Sequence, residues 1–406
     1  MPGGADVPPA GPRHARGPDA ARCSSHGPRS TSDAEPPPTA DHPLPAPRIG
    51  QRHRRSELLD TLRLVAPGTP LREGLDSILR GHTGALIVVS DRPEVQELLD
   101  GGFRLDSRFT PAALYELAKM DGGIVLSVDA SRIVYANVQL TPEPGIPSQE
   151  TGIRHRTAER VARQTGELVI AVSSRRSVIT VYRADLKYVL RDIGLILEKA
   201  NEAVEVLERY RTGLHEAMTS LTALEFEDLV TVSDFAKVLQ RSELVLNVAE
   251  EIDAYATELG AEGRLISIQM SEVVPEVHEG ALLVIRDYWN GPRDCDPMDV
   301  QERLRSWSTS GLLDLEDIAR LMGYPGGEAG LSQTVSPRGH RILRGIPRLP
   351  RAVVEKVTAR FGNLQRIMGA TMEELDEVQG VGEARAKALK DNLRRLKEQA
   401  LLSQQK

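Results

Sequence analysis

The chain has 406 residues, 40% of them apolar and 27% charged, and a net charge of −7 at neutral pH. That length exceeds one ordinary core and predicts two or three domains. Cys23 and Cys295 are its two cysteines, too few for a disulfide framework or a cysteine-built zinc site. Residues 337–406 hold 15 Lys/Arg against 8 Asp/Glu, so this tail is +7 and the rest is −14, an imbalance that directs a polyanion to the tail alone. Apolar runs such as Ala85–Val89 are far too short to span a bilayer, and the N-terminus lacks the apolar core of a signal peptide. The expectation is a cytoplasmic protein with no membrane partner.

Residues 1–51 are rich in Pro, Ala, Gly, Arg and His and are predicted to form a disordered extension, because they cannot bury enough apolar surface to offset ordering. Helical spacing then begins near Ser56, with Leu58, Leu59 and Leu62 before Pro67, and recurs at Leu71, Leu75, Ile78 and Leu79. Ala85–Val89 reads as a buried strand, Pro93–Leu99 and Pro111–Met120 as helices, and Gly123–Val128 and Ile133–Leu140 as strands. Thr157–Thr165 reads as a helix stopped by Gly166, with Leu168–Ser173 and Ser177–Tyr182 as the next two strands. The fold class over residues 52–187 is therefore α/β, a mixed sheet flanked by helices. From 188 to 333 the pattern is all-α, beginning with the face Val189, Ile193, Ile196, Ala200, Ala203, Leu207 and Tyr210. Residues 334–402 contain a repeat. Val378-x-Gly-Val-Gly382-x-x-x-Ala386 fits a helix-hairpin-helix, and Ile346, Leu349 and Val354 form a degenerate copy 32 residues earlier, with Arg348 and Pro350 in place of Gly380 and Gly382. Glycines there let backbone N–H groups approach a DNA phosphate, so Gly380, Val381, Gly382, Arg385 and Lys387 are the expected DNA contacts and the earlier copy is read as structural.

Two stretches carry the chemistry. In Thr151-Gly-Ile-Arg-His-Arg-Thr-Ala-Glu-Arg160, Arg154 and Arg156 offer planar forks suited to phosphate oxygens. At a helix start they add to free backbone N–H groups and the positive dipole end. Upstream, Met120-Asp-Gly-Gly123 places Asp121 between a helix and a strand, where a carboxylate can hold a divalent cation against phosphate oxygens. Each has a plain alternative. Asp-Gly is a common turn, charge runs are usually solvated, His155 fits a structural hydrogen bond, Thr157 fits a helix N-cap, and Ser173 fits turn chemistry. Nucleotide- and nucleophile-binding signatures such as the Walker loop, the Rossmann fingerprint and the nucleophile elbow do not occur. The residues alone thus reach a nucleotide- or phosphate-binding domain, a helical connector and a reader of the DNA backbone.

Taken together, Asp121-Gly122, the run Arg132-Ile-Val-Tyr-Ala-Asn-Val-Gln-Leu140, the arginine stretch and Gln164-Thr-Gly166 resemble the DNA integrity scanning family of bacterial diadenylate cyclases, over roughly residues 52–402. The resemblance implies condensation of two ATP into cyclic di-AMP with release of two pyrophosphates, at facing cyclase domains of a homo-oligomer, an octamer in the family pattern. It implies Asp121 as the catalytic and metal-binding residue for Mg²⁺ or Mn²⁺. It implies Gly122, Leu140, Ile153, Arg154, His155, Arg156, Thr157 and Ser173 as ATP contacts, and branched or damaged DNA as the partner of the tail. This sequence departs from the family at Gly123, where alanine is common, and at Ile153, where threonine is common. The competing readings are a scaffold that binds ATP and DNA without turnover, and a repair nuclease, for which the chain lacks a carboxylate cluster suited to two metals.

Overall fold

The computed structural model describes residues 49–292, 295–307 and 314–403. Up to residue 189 the chain forms one eight-stranded sheet between two layers of helices. Strand β1 (Ala85–Val89) is buried throughout: Ala85, Ile87 and Val89 enter one apolar cluster while Leu86 and Val88 enter another. A strand covered on both faces needs such an unbroken apolar run. The first cluster takes Leu62 from α1 (Ile49–Leu64), Leu71, Leu75 and Ile78 from α2 (Pro70–Arg80), and, beyond a short α3 (Pro93–Gln96), Leu114 from α4 (Pro111–Leu117). The second takes Ala158, Val161 and Ala162 from α5 (Ile153–Thr165).

The strand order follows from these two faces. Two short strands, β2 (Leu99–Asp100) and β3 (Phe103–Arg108), both pair with the outer edge of β5 (Arg132–Leu140), and β4 (Gly123–Leu126) pairs with its inner edge. β4 lies parallel to β1, and β1 continues antiparallel through β6 (Leu168–Ser173), β7 (Val178–Arg183) and β8 (Leu186–Val189).

Several expectations need correction. The extension predicted for 1–51 lies outside the described residues up to 48, and residues 49–51 belong to α1. The helix predicted over Pro93–Leu99 stops at Gln96, and Leu99 starts β2, which turns into β3 through Gly101 and Gly102, both at positive φ. β3 had no alternating pattern to reveal it because all six of its residues are exposed on the sheet edge. The helix predicted from Thr157 begins four residues earlier, at Ile153, with Gly152 as N-cap and no side-chain cap. Val189 closes β8, and the helix starts only after Asp192, whose carboxylate accepts the N–H groups of Gly194 and Leu195.

Beyond β8 the connector is helical. α6 (Ile193–Glu227, 35 residues) and α7 (Val232–Leu259, 28 residues) are each continuous. With α8 (Arg264–Tyr288) they bury a core that includes Leu214, Leu221, Phe235, Leu239 and Tyr288. The tail packs on this connector around a buried charged joint. Asp287 on α8 accepts backbone N–H groups from Gly339, His340 and Arg341, at 2.8, 2.6 and 2.9 Å. Glu225 on α6 is fully buried, accepts the Tyr288 hydroxyl at 2.8 Å, and is paired with Arg341. Two buried carboxylates thus converge on Arg341, Glu225 on its guanidinium and Asp287 on its backbone N–H.

Burial, with the Glu225 charge adding to it, pushes the Asp287 carboxyl up to about 7. A carboxyl raised in the folded state is protonated there while already ionised in the unfolded chain, so stability falls as pH climbs from about 4 to about 7 and levels off above. The expected result is that wild type loses thermal stability relative to Asp287→Asn across that interval. Parallel melting curves would mean the carboxyl stays ionised throughout.

Candidate nucleotide site

The residues singled out in the first two-thirds of the chain meet at one end of the sheet. Because β1 and β4 are parallel, Gly84 just before β1 and Asp121-Gly122 just before β4 lie side by side. β6 runs antiparallel to β1 and brings Ser173 to the same end, and β5 delivers Leu140 there. The Pro-rich loop 141–149 then carries the chain to the start of α5.

The first turn of α5 is Ile153-Arg-His-Arg156. The first intrahelical bond runs from Arg156 N–H to Gly152 C=O at 2.8 Å, which leaves the preceding amides at the helix end as donors to something outside it. Arg154 crosses the sheet end and pairs with Asp121 at 3.0 Å. It can do so because residue 84 has no side chain: a Cβ there would sit 2.4 Å from the Arg154 guanidinium and 3.2 Å from the Val172 carbonyl. Gly84 was missed in the sequence because it precedes a strand without any motif around it. Asp121 itself is fully exposed, with Gly122 held behind it by a bond from its N–H to Asn137 Oδ1 at 3.2 Å.

The other candidates divide into those facing this cleft and those holding it. Arg156 turns back to its own loop, donating to the carbonyls of Glu150 and Thr151 at 3.2 and 3.4 Å. Thr157 lies in the second turn and does not cap the helix, since the N-cap is Gly152. His155 is half-buried, edge-on to Tyr182, and among the described residues its Nε2 has no hydrogen-bond partner. Burial lowers its pKa, with Glu150 pulling the other way, so the ring is neutral near pH 7. Ile153 is 83% exposed at the mouth. Leu140 is buried, and its Cδ1 lies 3.2 Å from where a Cβ on Gly123 would be, so alanine at 123 would require Leu140 to shift by a few tenths of an ångström. Ser173 Oγ accepts the Arg176 N–H at 3.2 Å, the turn chemistry that was its plain alternative.

Beneath the loop sits Glu150, which no sequence pattern marked. Its carboxylate accepts the Tyr182 hydroxyl at 2.8 Å and pairs with Lys187. Burial raises its pKa, but these two partners outweigh it and hold the carboxyl below its usual range. Further along, Glu159, Arg160 and Arg163 of α5 bond to Ser148, Ile146 and Pro147 respectively. The loop is thereby strapped to α5, and the first helical turn is fixed against the sheet. Among the described residues no three His, Cys, Asp or Glu side chains converge. A cation held by the Asp121 carboxylate would take its remaining ligands from phosphates and water, which is how Mg²⁺ is commonly bound.

A family model described as DisA bacterial checkpoint controller nucleotide-binding matches residues 72–186, and one described as DisA bacterial checkpoint controller linker region matches 190–331. The DNA integrity scanning protein DisA of Carboxydothermus hydrogenoformans is 54% identical over 83% of this chain and 96% of its own length. That of Symbiobacterium thermophilum is 51% identical over 86% of this chain and 99% of its own length. The chain belongs to the DisA family. Its sheet domain is the family's nucleotide-binding domain, and the site above lies within it. DacA from Staphylococcus aureus aligns over 37% of this chain and 97% of that one, at 19% identity and a TM-score of 0.26, too low to add to the assignment. Among the described residues no helix is long and apolar enough to cross a membrane.

In the tail, Val378, Val381 and Ala386 are buried, as are Ile346, Leu349 and Val354. The backbone bond Val378 N–H to Leu375 C=O has its counterpart 32 residues earlier in Ile346 N–H to Leu343 C=O, both 3.1 Å. Gly380 and Gly382 have φ of +95° and +62°, and Arg348, standing where Gly380 does, has +64°. Arg385 donates to the Gly380 carbonyl at 2.6 Å, while Lys387 is exposed. Arg344 and Arg351, on either side of the earlier turn, both bond to Glu279 of α8, at 3.0 and 2.7 Å.

Gly84→Ala is expected to displace the Arg154 guanidinium while leaving the sheet intact. Losing one charge-assisted phosphate contact, about 1.5–3 kcal/mol, should weaken ATP binding roughly 10- to 100-fold by calorimetry. Unchanged ATP affinity would show that Arg154 does not face the nucleotide.

Proposed function

We propose that the chain is a diadenylate cyclase that condenses two ATP into cyclic di-AMP and two pyrophosphates, with its tail as a helix-hairpin-helix DNA-binding domain. The observation that carries this reading is the Asp121–Arg154 pair at the open start of α5, in a nucleotide-binding domain of the DisA family. A carboxylate for a cation and a guanidinium for a phosphate stand together but exposed, as half of a site completed by a second copy would. The homo-oligomer, an octamer by family resemblance, supplies that copy.

In this reading the 3′-hydroxyl of each ATP attacks the α-phosphorus of the other, so that two such displacements close the ring. The new P–O bond forms as the bond to the pyrophosphate oxygen breaks, pyrophosphate leaves, and the hydroxyl proton passes to solvent at the Asp121 carboxylate. Arg154 exchanges its ion pair for the phosphates, and the Ile153–His155 amides add donors fixed before the reaction begins. Neutral His155 packs edge-on against Tyr182 and adds no charge. Arg156, Glu150 and Thr157 hold the turn that presents these donors, and Ile153, Leu140 and Gly122 border the nucleotide. A Mg²⁺ or Mn²⁺ ion at Asp121 would supply charge neutralisation at the reacting phosphate.

The tail would meet branched or damaged DNA through amides at Gly380, Val381 and Gly382, with Arg385 and Lys387 on phosphates, independent of sequence. Proline at position 380 fixes φ near −65°, against the observed +95°. Gly380→Pro should therefore weaken DNA binding while ATP turnover without DNA persists. Equal DNA affinity in mobility shifts at matched salt would remove the hairpin assignment.

The deciding assay is incubation of purified protein with ATP and Mg²⁺ or Mn²⁺, with mass detection of products. Cyclic di-AMP from wild type, lost in a folded Asp121→Ala variant, is the expected outcome. ATP binding without product in an oligomeric sample would replace this reading with the scaffold that binds ATP and DNA.

A further inference from the structure

Strand β5 breaks its own geometry at Asn137. This residue has φ +55°, a left-handed conformation in mid-strand that L residues other than Asn and Asp rarely accept. Between the pairs Gly123–Val138 and Val125–Tyr135, two steps along β4 match three along β5, so the extra residue makes a bulge. The bulge is enclosed from both sides by glycine. A Cβ on Gly122 would lie 2.5 Å from Asn137 Cα and 2.7 Å from its Oδ1, and a Cβ on Gly102 would lie 2.9 Å from the Asn137 carbonyl oxygen. Backbone from three separate segments is thus in contact at this point. Within it, Asn137 Oδ1 accepts the Gly122 N–H at 3.2 Å, across 15 residues of sequence.

The bond falls on the peptide that joins Gly122 to Asp121. The Asp121 side chain is fully exposed, and its one ion pair, to Arg154, must open when a phosphate claims the guanidinium. Once that happens, the peptide behind Asp121 is what fixes the direction of its carboxylate. Reacting groups misplaced by a fraction of an ångström lose most of the advantage of being bound together.

We propose that Asn137 is a positioning residue for the cyclase reaction: its side-chain oxygen anchors the Asp121–Gly122 peptide so that the carboxylate meets the cation and the attacking hydroxyl. This rests on the reading of the chain as a cyclase. A residue present only to shape the bulge makes the opposite forecast for one substitution. Glycine accepts a left-handed φ more readily than asparagine, so Asn137→Gly preserves the bulge and removes only the acceptor. Asn137→Asp keeps both the acceptor and the tolerance for that φ.

The test compares full-length wild type, Asn137→Gly and Asn137→Asp for melting temperature, kcat, KM for ATP at saturating Mn²⁺, and the Mn²⁺ concentration giving half-maximal rate. For the glycine variant the expected result is a near-native melting temperature, kcat about 10-fold lower, half-saturating Mn²⁺ about 10-fold higher, and KM for ATP within about threefold. The aspartate variant should recover kcat to within about threefold of wild type. A glycine variant with kcat within twofold of wild type would overturn the proposal, as would equal losses in both variants. A glycine variant that fails to fold would also overturn the proposal, since glycine tolerates that φ and the side chain would then be holding the strand itself. Wild type without product would defeat the cyclase reading instead. The Mn²⁺ dependence of ATP binding by calorimetry would then decide for Asn137: weakened by the glycine change if it positions Asp121, unaltered if it only shapes the strand.

Discussion

Helix α5 starts with two arginines at the end where its dipole is already positive, and no acidic residue stands in its first turn. The nucleotide domain is arranged around that unfavourable placement. Asp121 comes from another element to meet Arg154, and the carbonyls of Glu150 and Thr151 take Arg156. Glu150 is in turn fixed from below by Tyr182 and Lys187. Every one of these partners comes from the loop or from the sheet, so the positive end stays oriented but is not covered. An exposed carboxylate is a weak competitor for a guanidinium, since solvent screens the pair. A triphosphate with its cation can separate the two and satisfy both.

That arrangement explains which parts of the site were legible in the sequence. Arg154 and Asp121 carry charge at conspicuous spacing, and the family likeness ordered them. Gly84, Asn137 and Glu150 were not visible because their roles depend on approach across the sheet. Gly84 matters only because the parallel β1–β4 pair brings it beside Asp121, and Asn137 only because the strand bulges at that residue. The helix start was misplaced for a related reason. Thr157 satisfies the usual preference at an N-cap, but Gly152 takes that position without a side-chain bond, the loop having been strapped to α5 by Arg160 and Arg163. Tertiary contacts here replaced the local signal on which the reading relied.

The fold itself was read more completely where burial imposes a period. β1, β6 and β7 were recognisable from their apolar runs, and the inward residues of α5 from their spacing. The edge strands β2 and β3 were not: β2 is two residues long, too short for a period, and β3, with every side chain in solvent, has no apolar face to repeat. In the connector α6 and α7 run unbroken over 35 and 28 residues. Packing against two neighbours supplies what local propensity lacks there.

The tail joint gives those long helices a further consequence. α6 begins three residues after β8 and holds Glu225 near its far end, a span of roughly 50 Å at 1.5 Å per residue. Glu225 is paired with Arg341 of the tail, and Asp287 of α8 fixes the same turn through three backbone N–H groups. Buried charges tolerate little misalignment, because a half-separated pair leaves each partner without water. The tail therefore cannot rock gradually on the connector; it stays docked or it releases the joint as a unit. The Glu279 contacts to Arg344 and Arg351 are different, being exposed and screened, and they can open while the buried joint holds. An anion reaching those two arginines would change the charge facing α8 without undocking the tail. Any influence of the tail that α6 carries toward the sheet domain then passes through a helix held by this joint near its far end.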